Sequence, residues 1–217
     1  MIVLNLKTYD KTLEKAAFFT AVASEVAKET GVRIVICPPS PFLSACLTKH
    51  PDVYAQHTDK QVPGAFTGTV PAEALKTLNV KGSLVNHSER RIGNPADIKT
   101  ISDRLRQNNL ESLVCAESAK EAAEVAHFSP SFIAVEPPEL IGSGVSVSNA
   151  KPEVVTNTVD AVKAVNAKIP VLCGAGVSNA TDVKNALKLG SEGVLLASAF
   201  VKASDPKKFL QDFAGVF

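Results

Sequence analysis

Eight short apolar runs, rich in β-branched residues, recur along the chain and constrain its fold more than any other feature. Polar and apolar residues do not alternate within these runs, and helical patterns separate nearly all of them. Such runs are typical of parallel strands that are covered on both faces of a sheet. The predicted strands are residues 2–6, 33–37, 53–55, 83–85, 112–115, 132–135, 170–173 and 193–196.

Helix signals lie between these runs. One apolar stripe has the three- and four-residue spacing of a helix face and ends before Gly31, which predicts a glycine C-cap. Near the end of the chain, Asp205 and Pro206 are typical of an N-cap and a first helical residue. The stripes are Phe19, Val22, Ala23 and Val26; Val155, Val159 and Val162; Val183, Ala186 and Leu187; and Phe209, Leu210 and Phe213.

The number of units predicts the architecture. Eight strand–helix units in 217 residues leave about 27 residues for each, slightly under the usual size in a (β/α)8 barrel. An open doubly wound sheet is the alternative, but no G-x-G-x-x-G follows the first run, where that fold places its dinucleotide fingerprint. We therefore predict an α/β protein with a single (β/α)8 barrel domain over residues 1–217.

Charge and cysteine content narrow the classes of partner. The 23 basic and 22 acidic residues nearly cancel without forming blocks, which argues against nucleic-acid and membrane-surface binding. The four cysteines are far apart without a C-x-x-C pair, so we expect no zinc site and no disulfide framework. No apolar run reaches the ~18 residues of a membrane span, and no secretion signal opens the chain. We expect a cytoplasmic protein with a small-molecule partner.

The chemistry of a (β/α)8 barrel gathers at the carboxyl ends of its strands, so the polar residues that follow each run are the site candidates. The first run ends at Asn5, Leu6 and Lys7. Because side chains alternate along a strand, Asn5 and Lys7 are predicted to point together into the barrel mouth. The alternative is that the strand stops at Leu4 and leaves Lys7 solvated.

The fourth run is followed by His87 and Ser88. We predict that Ser88 caps a short helical turn, which would set His87 at a helix N-terminus. The partial positive charge there disfavours an imidazolium and favours a neutral ring that donates a hydrogen bond to a substrate oxygen. A surface role is the alternative for a lone loop histidine.

The sixth run ends in Glu136, and the loop after it has two prolines at one end and two glycines at the other. The prolines restrict the backbone at one end of the loop, and the glycines leave the other end flexible. Together with the apolar Leu140 and Ile141 between them, this is typical of a lid that closes over a pocket. An incidental acid beside a surface loop is the alternative.

Small residues follow the last two runs, as Cys173-Gly-Ala-Gly176 and as Leu196-Ala197-Ser198. Their backbone N–H groups can approach a ligand closely, and barrels often hold phosphate after the seventh and eighth strands. Tight turns without a ligand have similar composition.

Four motifs together resemble the triose-phosphate isomerase family: Asn5-x-Lys7, Asn86-His-Ser-Glu-Arg-Arg91, Glu136-Pro-Pro-Glu-Leu-Ile-Gly-Ser-Gly144 and Cys173-Gly-Ala-Gly176. The short helices and the Pro-Pro-Glu loop are similar to its archaeal branch. The resemblance implies interconversion of dihydroxyacetone phosphate and D-glyceraldehyde 3-phosphate through an enediol, without cofactor or metal. It implies that Glu136 is the base, that His87 shuttles protons at oxygen, that Lys7 stabilises negative charge and that Asn5 positions the substrate.

The resemblance also implies a set of phosphate ligands. These are Ile141 and Gly142 on the lid, together with Gly176, Ala197 and Ser198. The chain departs from the family pattern in three places: Leu196-Ala197 replaces Gly-Gly, Gly176 replaces a phosphate-binding serine, and Cys173 replaces a tyrosine that holds the closed lid.

A long loop, residues 56–68, follows the third run and carries Phe66, a large apolar residue expected at a buried partner surface. The family docks this loop into a neighbouring subunit, so we expect a homodimer or homotetramer. Two rival functions remain: a class I aldolase-like enzyme with a Schiff-base lysine in the mouth, and a phosphate-binding barrel without catalysis.

Overall fold

A ring of parallel strands forms the centre of the molecule. The computed structural model describes residues 1–137 and 146–217. The strands are hydrogen-bonded in the order β2-β1-β8-β7-β6-β5-β4-β3, and a parallel bridge between Ile36 and Val53 brings β2 beside β3 and nearly closes the barrel. The strands are β1 Ile2–Asn5, β2 Ile34–Cys37, β3 Tyr54–Ala55, β4 Gly82–Val85, β5 Glu111–Ala116, β6 Phe132–Val135, β7 Val171–Cys173 and β8 Gly193–Leu196.

Helices connect the strands and cover the outside of the barrel. The helices are α1 Asp10–Thr30, α2 Leu43–Leu47, α3 Ala72–Thr77, α4 Pro95–Gln107, α5 Ala119–Ala126, α6 Val147–Ala150, α7 Pro152–Val165, α8 Ala180–Lys188, α9 Ser198–Lys202 and α10 Pro206–Ala214, with 3-10 turns at Ser40–Phe42 and Ser88–Arg90. The predicted (β/α)8 barrel is confirmed, and the strand ends differ from the predicted ones by no more than one residue.

The predicted helix boundaries have the expected chemistry. Gly31 adopts a left-handed φ of 71°, and its N–H donates to the carbonyl of Ala27 at 2.9 Å. Asp205 accepts a hydrogen bond from the backbone N–H of Lys208, and Pro206 is the first residue of α10. The glycine C-cap ends α1 and the aspartate N-cap starts α10, and both depend on residues that are close in sequence.

Side-chain alternation sorts the strand residues into two layers. One buried cluster, which includes Val3, Leu113 and Ala134, fills the inside of the barrel. A larger cluster packs the outward-facing strand residues against the helices. Because the period is two, Asn5 follows Val3 and Glu136 follows Ala134 on the inner side.

The loop after β3 and the apolar character of the helices were also subjects of prediction. Residues 56–68 contain neither helix nor strand, and Phe66 is 47% exposed, as expected for a long surface loop. None of the described helices combines the length and apolar character needed to cross a bilayer.

Candidate active site

One pocket at the carboxyl ends of the strands brings most of the predicted site residues together. Its lining includes Asn5, Lys7, His87, Glu136, Gly176, Ala197 and Ser198, which come from five strand ends. Tyr9, Val177 and Ser178 line the same pocket. The two remaining predicted ligands, Ile141 and Gly142, lie outside the described residues.

Glu136 is a buried carboxylate without a full set of partners. The residue is 5% exposed, and its Oε2 atom has no hydrogen-bond partner among the described residues. Leaving a charged oxygen unpaired away from water is costly, so this arrangement is rare outside functional sites. The carboxylate is oriented into the pocket by its place on the inner face after β6.

Cys115 lies beneath this carboxylate inside the barrel. Burial, followed by the charge of Glu136 and a hydrogen bond to it, raises the pKa of the Cys115 thiol well above its ordinary value. The thiol therefore stays protonated near neutral pH and donates to Glu136. No motif in the sequence singles out Cys115, although its inward position on β5 follows from the same alternation.

His87 presents one ring nitrogen to the pocket and uses the other to hold its orientation. The backbone N–H of Glu89 donates to His87 Nδ1 at 3.2 Å, so Nδ1 is unprotonated in this arrangement. The proton of the neutral ring is then on Nε2, which lies 3.5 Å from Oε2 of Glu136. This separation is too long for a good hydrogen bond between the two groups.

The predicted cap at this turn was assigned to the wrong residue. His87 itself is the N-cap of Ser88–Arg90, with an extended backbone and a side-chain nitrogen that accepts from the turn. The hydroxyl of Ser88 is buried and has no partner among the described residues. The imidazole accepts from the N–H of Glu89 and so performs the capping role that we predicted for Ser88, because a ring nitrogen can accept as well as an oxygen.

Asn86 turns the chain sharply at the end of β4. Its φ is 61°, in the left-handed region that asparagine tolerates better than most residues. The side-chain Nδ2 donates to the carbonyl of Cys115 and to Glu121, each at 3.0 Å, while Oδ1 accepts from the N–H of Ile92. These bonds fix the backbone that carries His87.

Lys7 reaches the mouth by a different route from the predicted one. β1 ends at Asn5, and Lys7 has a left-handed φ of 46°, so a turn rather than strand alternation delivers its side chain. Oδ1 of Asn5 accepts from the Lys7 N–H at 3.1 Å, and Gln56 donates to the Lys7 carbonyl at 3.2 Å. The side chain is 13% exposed and lines the pocket, so Lys7 is not the solvated lysine of the alternative.

The ammonium of Lys7 is paired with Glu89 at 2.7 Å. A Schiff-base lysine attacks a carbonyl with a free amine, whereas Nζ of Lys7 is engaged by a carboxylate. Glu89 stands within the Asn86–Arg91 motif, yet nothing local indicates that it meets a residue 82 positions earlier.

Backbone donors gather on the other side of the pocket. No described residue accepts a hydrogen bond from the N–H groups of Gly176, Val177 and Ser198. Ala175 and Gly176 have consecutive left-handed φ values of 67° and 71°, which turn this loop sharply. Successive N–H groups in such a turn form a concave surface suited to an anion.

Cys173, at the place of the family's tyrosine, faces away from the pocket. It belongs to the outer cluster, and its thiol accepts from the backbone N–H of Ser148. Burial, with the nearby charges of Asp182 and Glu136, raises the pKa of Cys173 to about 12. The small thiol contacts the segment that follows residues 138–145 without reaching into the mouth.

Comparisons with known proteins agree with the resemblance. A family model described as triosephosphate isomerase matches residues 1–213. The triosephosphate isomerase of Methanothermus fervidus is 48% identical over 214 residues, covering 98% of this chain and 96% of the relative. Those of Methanocaldococcus jannaschii and Methanothermobacter thermautotrophicus are 44% and 43% identical over 98% of this chain, with 97% and 93% of each relative covered. Because both kinds of match run across almost the whole barrel, the chain belongs to the triosephosphate isomerase family.

Proposed function

We propose that this protein interconverts dihydroxyacetone phosphate and D-glyceraldehyde 3-phosphate, with Glu136 as the base and His87 as the acid. The observation that carries the proposal is the buried Oε2 of Glu136, which lacks a hydrogen-bond partner within residues 1–137 and 146–217. It lies 3.5 Å from His87 Nε2, in the pocket that Lys7 also lines. A carboxylate and a neutral imidazole so arranged can act on neighbouring carbon and oxygen atoms of one bound triose.

The proposed chemistry consists of proton transfers only. Glu136 removes a proton from C1 of dihydroxyacetone phosphate, and the C–H electron pair becomes the C1–C2 double bond. The carbonyl electrons move to the oxygen on C2, which takes the proton of His87 Nε2 to give the enediol. His87 then recovers the proton of the C1 hydroxyl, and Glu136 returns its proton to C2. The balance needs neither an oxidant nor a metal.

Two residues from the first strand end complete the proposed catalytic group. Lys7 stabilises the negative charge that develops on the substrate oxygen, and its partly buried position strengthens that effect. Asn5 supports this geometry because its side chain holds the Lys7 backbone at 3.1 Å. We assign Asn5 to positioning of both Lys7 and the substrate.

The phosphate is proposed to bind at the backbone N–H groups after β7 and β8 that donate to no described residue. Gly176, Ala197 and Ser198 line that side of the pocket, and α9 begins at Ser198. A helix start and a glycine turn both favour a dianion. Ile141 and Gly142 remain proposed ligands on the strength of the family resemblance.

Substitution of Glu136 by glutamine tests the assignment of the base. The amide keeps the shape but accepts no proton, so kcat should fall at least ~10²-fold, about 3 kcal/mol of barrier. A coupled spectrophotometric assay with glyceraldehyde 3-phosphate measures kcat, and calorimetry with glycerol phosphate measures binding, which should persist. The matched control is Glu14→Gln on the exposed face of α1, which should behave as the parent protein. Near-normal turnover of Glu136→Gln would place the base elsewhere.

We further propose that the protein is a cytoplasmic homodimer or homotetramer. Phe66 and Val62 are 47% and 54% exposed on the same loop, an apolar surface that a second subunit would cover. In light scattering, the parent protein should exceed the mass of one chain, and Phe66→Asp should shift it towards the monomer. Phe217→Asp is the control, since that side chain is 44% exposed at the end of the chain. A monomeric parent protein at micromolar concentration would refute the proposal.

A further inference from the structure

Asp182 is a buried carboxylate outside the catalytic group. It lies in the first turn of α8 and is only 2% exposed. A charge removed from water in this way requires several hydrogen-bond donors. The identity of those donors indicates what the residue does.

The donors to Asp182 come from two different segments. Oδ2 accepts from the backbone N–H of Ser178 at 2.8 Å, from its hydroxyl at 3.0 Å and from the side chain of Asn179 at 3.1 Å. Oδ1 accepts from Nδ2 of Asn149 at 2.6 Å. The capping box with Asn179 explains the start of α8, but it explains neither Ser178 nor Asn149.

The second segment, Ser146 to Asn149, is attached to α8 by further bonds. The hydroxyl of Ser148 donates to the Asp182 carbonyl at 3.1 Å and lies 2.8 Å from the hydroxyl of Ser146. Asn185 donates to Oδ1 of Asn149 at 2.7 Å. Asp182 is thus the centre of a polar junction between this segment and the loop after β7.

The loop after β7 has a conformation that needs such support. Ala175 has a φ of 67°, and a left-handed conformation is strained for a residue with a Cβ. Ser178 lines the same pocket as Gly176, two residues away. Holding the backbone N–H of Ser178 therefore restricts the path of Ala175, Gly176 and Val177.

We propose that Asp182 is a positioning residue for phosphate binding, which keeps the N–H groups of Gly176 and Val177 directed into the pocket. The junction with Asn149 fixes the position of Asp182 itself. This inference rests on the proposed phosphate role of the loop after β7. Asp182 is not among the described residues that line the pocket, so it acts through the backbone that it holds.

The test compares substrates with and without the phosphate group. In Asp182→Asn, an amide N–H₂ replaces one of two accepting oxygens, so a donor faces a donor and the junction weakens. For glyceraldehyde 3-phosphate, kcat/KM should fall about tenfold, and the inhibition constant of inorganic phosphate should rise by a similar factor. For D-glyceraldehyde, which lacks phosphate, kcat/KM should stay within about twofold.

Two more variants keep the proposal open to refutation. Asp205→Ala removes the side-chain acceptor that caps α10, so it should reduce thermal stability without changing the ratio of kcat/KM for the two substrates. Asn149→Ala removes one donor to Asp182 but leaves the capping box intact, so it should give a smaller phosphate-specific loss and decides the matter if Asp182→Asn does not fold.

Equal losses with both substrates, or an unchanged phosphate inhibition constant, would overturn the role of Asp182. Failure of inorganic phosphate to compete with substrate in the parent protein would instead overturn the proposed phosphate site. The two failures are therefore distinguishable.

Discussion

At the residue scale, the lack of a side chain on Gly174 leaves the space that the side chain of Glu136 occupies. A Cβ placed on Gly174 would meet Cγ of Glu136 at a distance that real structures do not show, and Cδ at 3.1 Å. Both residues are on neighbouring strand ends, since β6 pairs with β7. A glycine at position 174 is therefore required for the observed position of the Glu136 carboxylate.

Substitution of Gly174 by alanine should displace the Glu136 carboxylate and reduce kcat by about 10²-fold, since a displacement near 1 Å has that cost in a positioned base. Binding of inorganic phosphate should change much less, because the phosphate donors lie further along the loop. Steady-state kinetics and phosphate inhibition measure the two effects.

Gly193→Ala is the matched control for this variant. A Cβ there would collide with the backbone carbonyl of Met1 at the opposite end of the barrel. It should reduce the thermal midpoint while leaving kcat of the folded protein near normal. An unaltered kcat in Gly174→Ala would show that Glu136 has room to lie elsewhere.

At the element scale, α5 supports the histidine turn through Glu121. Its carboxylate accepts from Arg91 at 2.7 Å, from the N–H of Glu117 at 2.8 Å and from Asn86 at 3.0 Å. Burial alone would raise the pKa of Glu121, but these donors together outweigh it and lower the pKa below its ordinary 4.5. The ionised form is therefore favoured by folding.

This shift predicts a pH-dependent loss of stability in Glu121→Gln. Because the folded pKa is depressed, Glu121 contributes stability above its unfolded pKa, and the contribution disappears as pH falls through the folded value. The free energy of unfolding in urea should differ between parent and variant by no more than about 1 kcal/mol near neutral pH, since the pair is partly solvated. The difference should disappear once the pH is below the folded pKa.

Glu124→Gln, an exposed substitution on the same helix, is the control and should show no such pH dependence. A difference between parent and Glu121→Gln that persisted in acid would mean that the carboxylate stabilises the fold by shape and not by charge.

At the scale of the whole molecule, one end of the barrel holds the pocket and the other end holds a group of stabilising polar contacts. Opposite the pocket, the hydroxyl of the fully buried Tyr54 donates to Glu111 at 2.5 Å. Arg33 binds Asp52 through two bonds of 2.7 and 3.0 Å and also pairs with Glu111. These ion pairs lie at the end opposite the pocket, whereas at the mouth Oε2 of Glu136 has no hydrogen-bond partner in the described part of the chain.

Tyr54→Phe should therefore reduce the free energy of unfolding by about 1–2 kcal/mol, the usual loss when one partner of a hydrogen bond to a charged group is removed. Because the hydroxyl is at the end opposite the pocket, kcat and KM should remain unchanged. Chemical denaturation and the isomerase assay on the same preparation measure both quantities. A large fall in kcat with little loss of stability would contradict this separation of the two ends.

Much of the barrel was predictable because its signals are local. Strand runs, the glycine end of α1 and the Asp205 start of α10 depend on neighbouring residues, and each matched the structure. The inward direction of Asn5 followed from the period of two along a strand, but a turn after β1 delivers Lys7, for which the same rule was used. The cap at Ser88 was wrong because the competing acceptor was a ring nitrogen on the preceding residue.

The sequence by itself determined the eight strand–helix units and which polar residues stand at the strand ends. Only the tertiary structure decided that Nε2 of His87 lies 3.5 Å from Glu136, that Lys7 pairs with Glu89, and that Asp182 joins two loops. The reason is physical: periodicity and capping act within a few residues of the chain. Distances between strand ends depend instead on how all the strands are staggered and closed into one barrel.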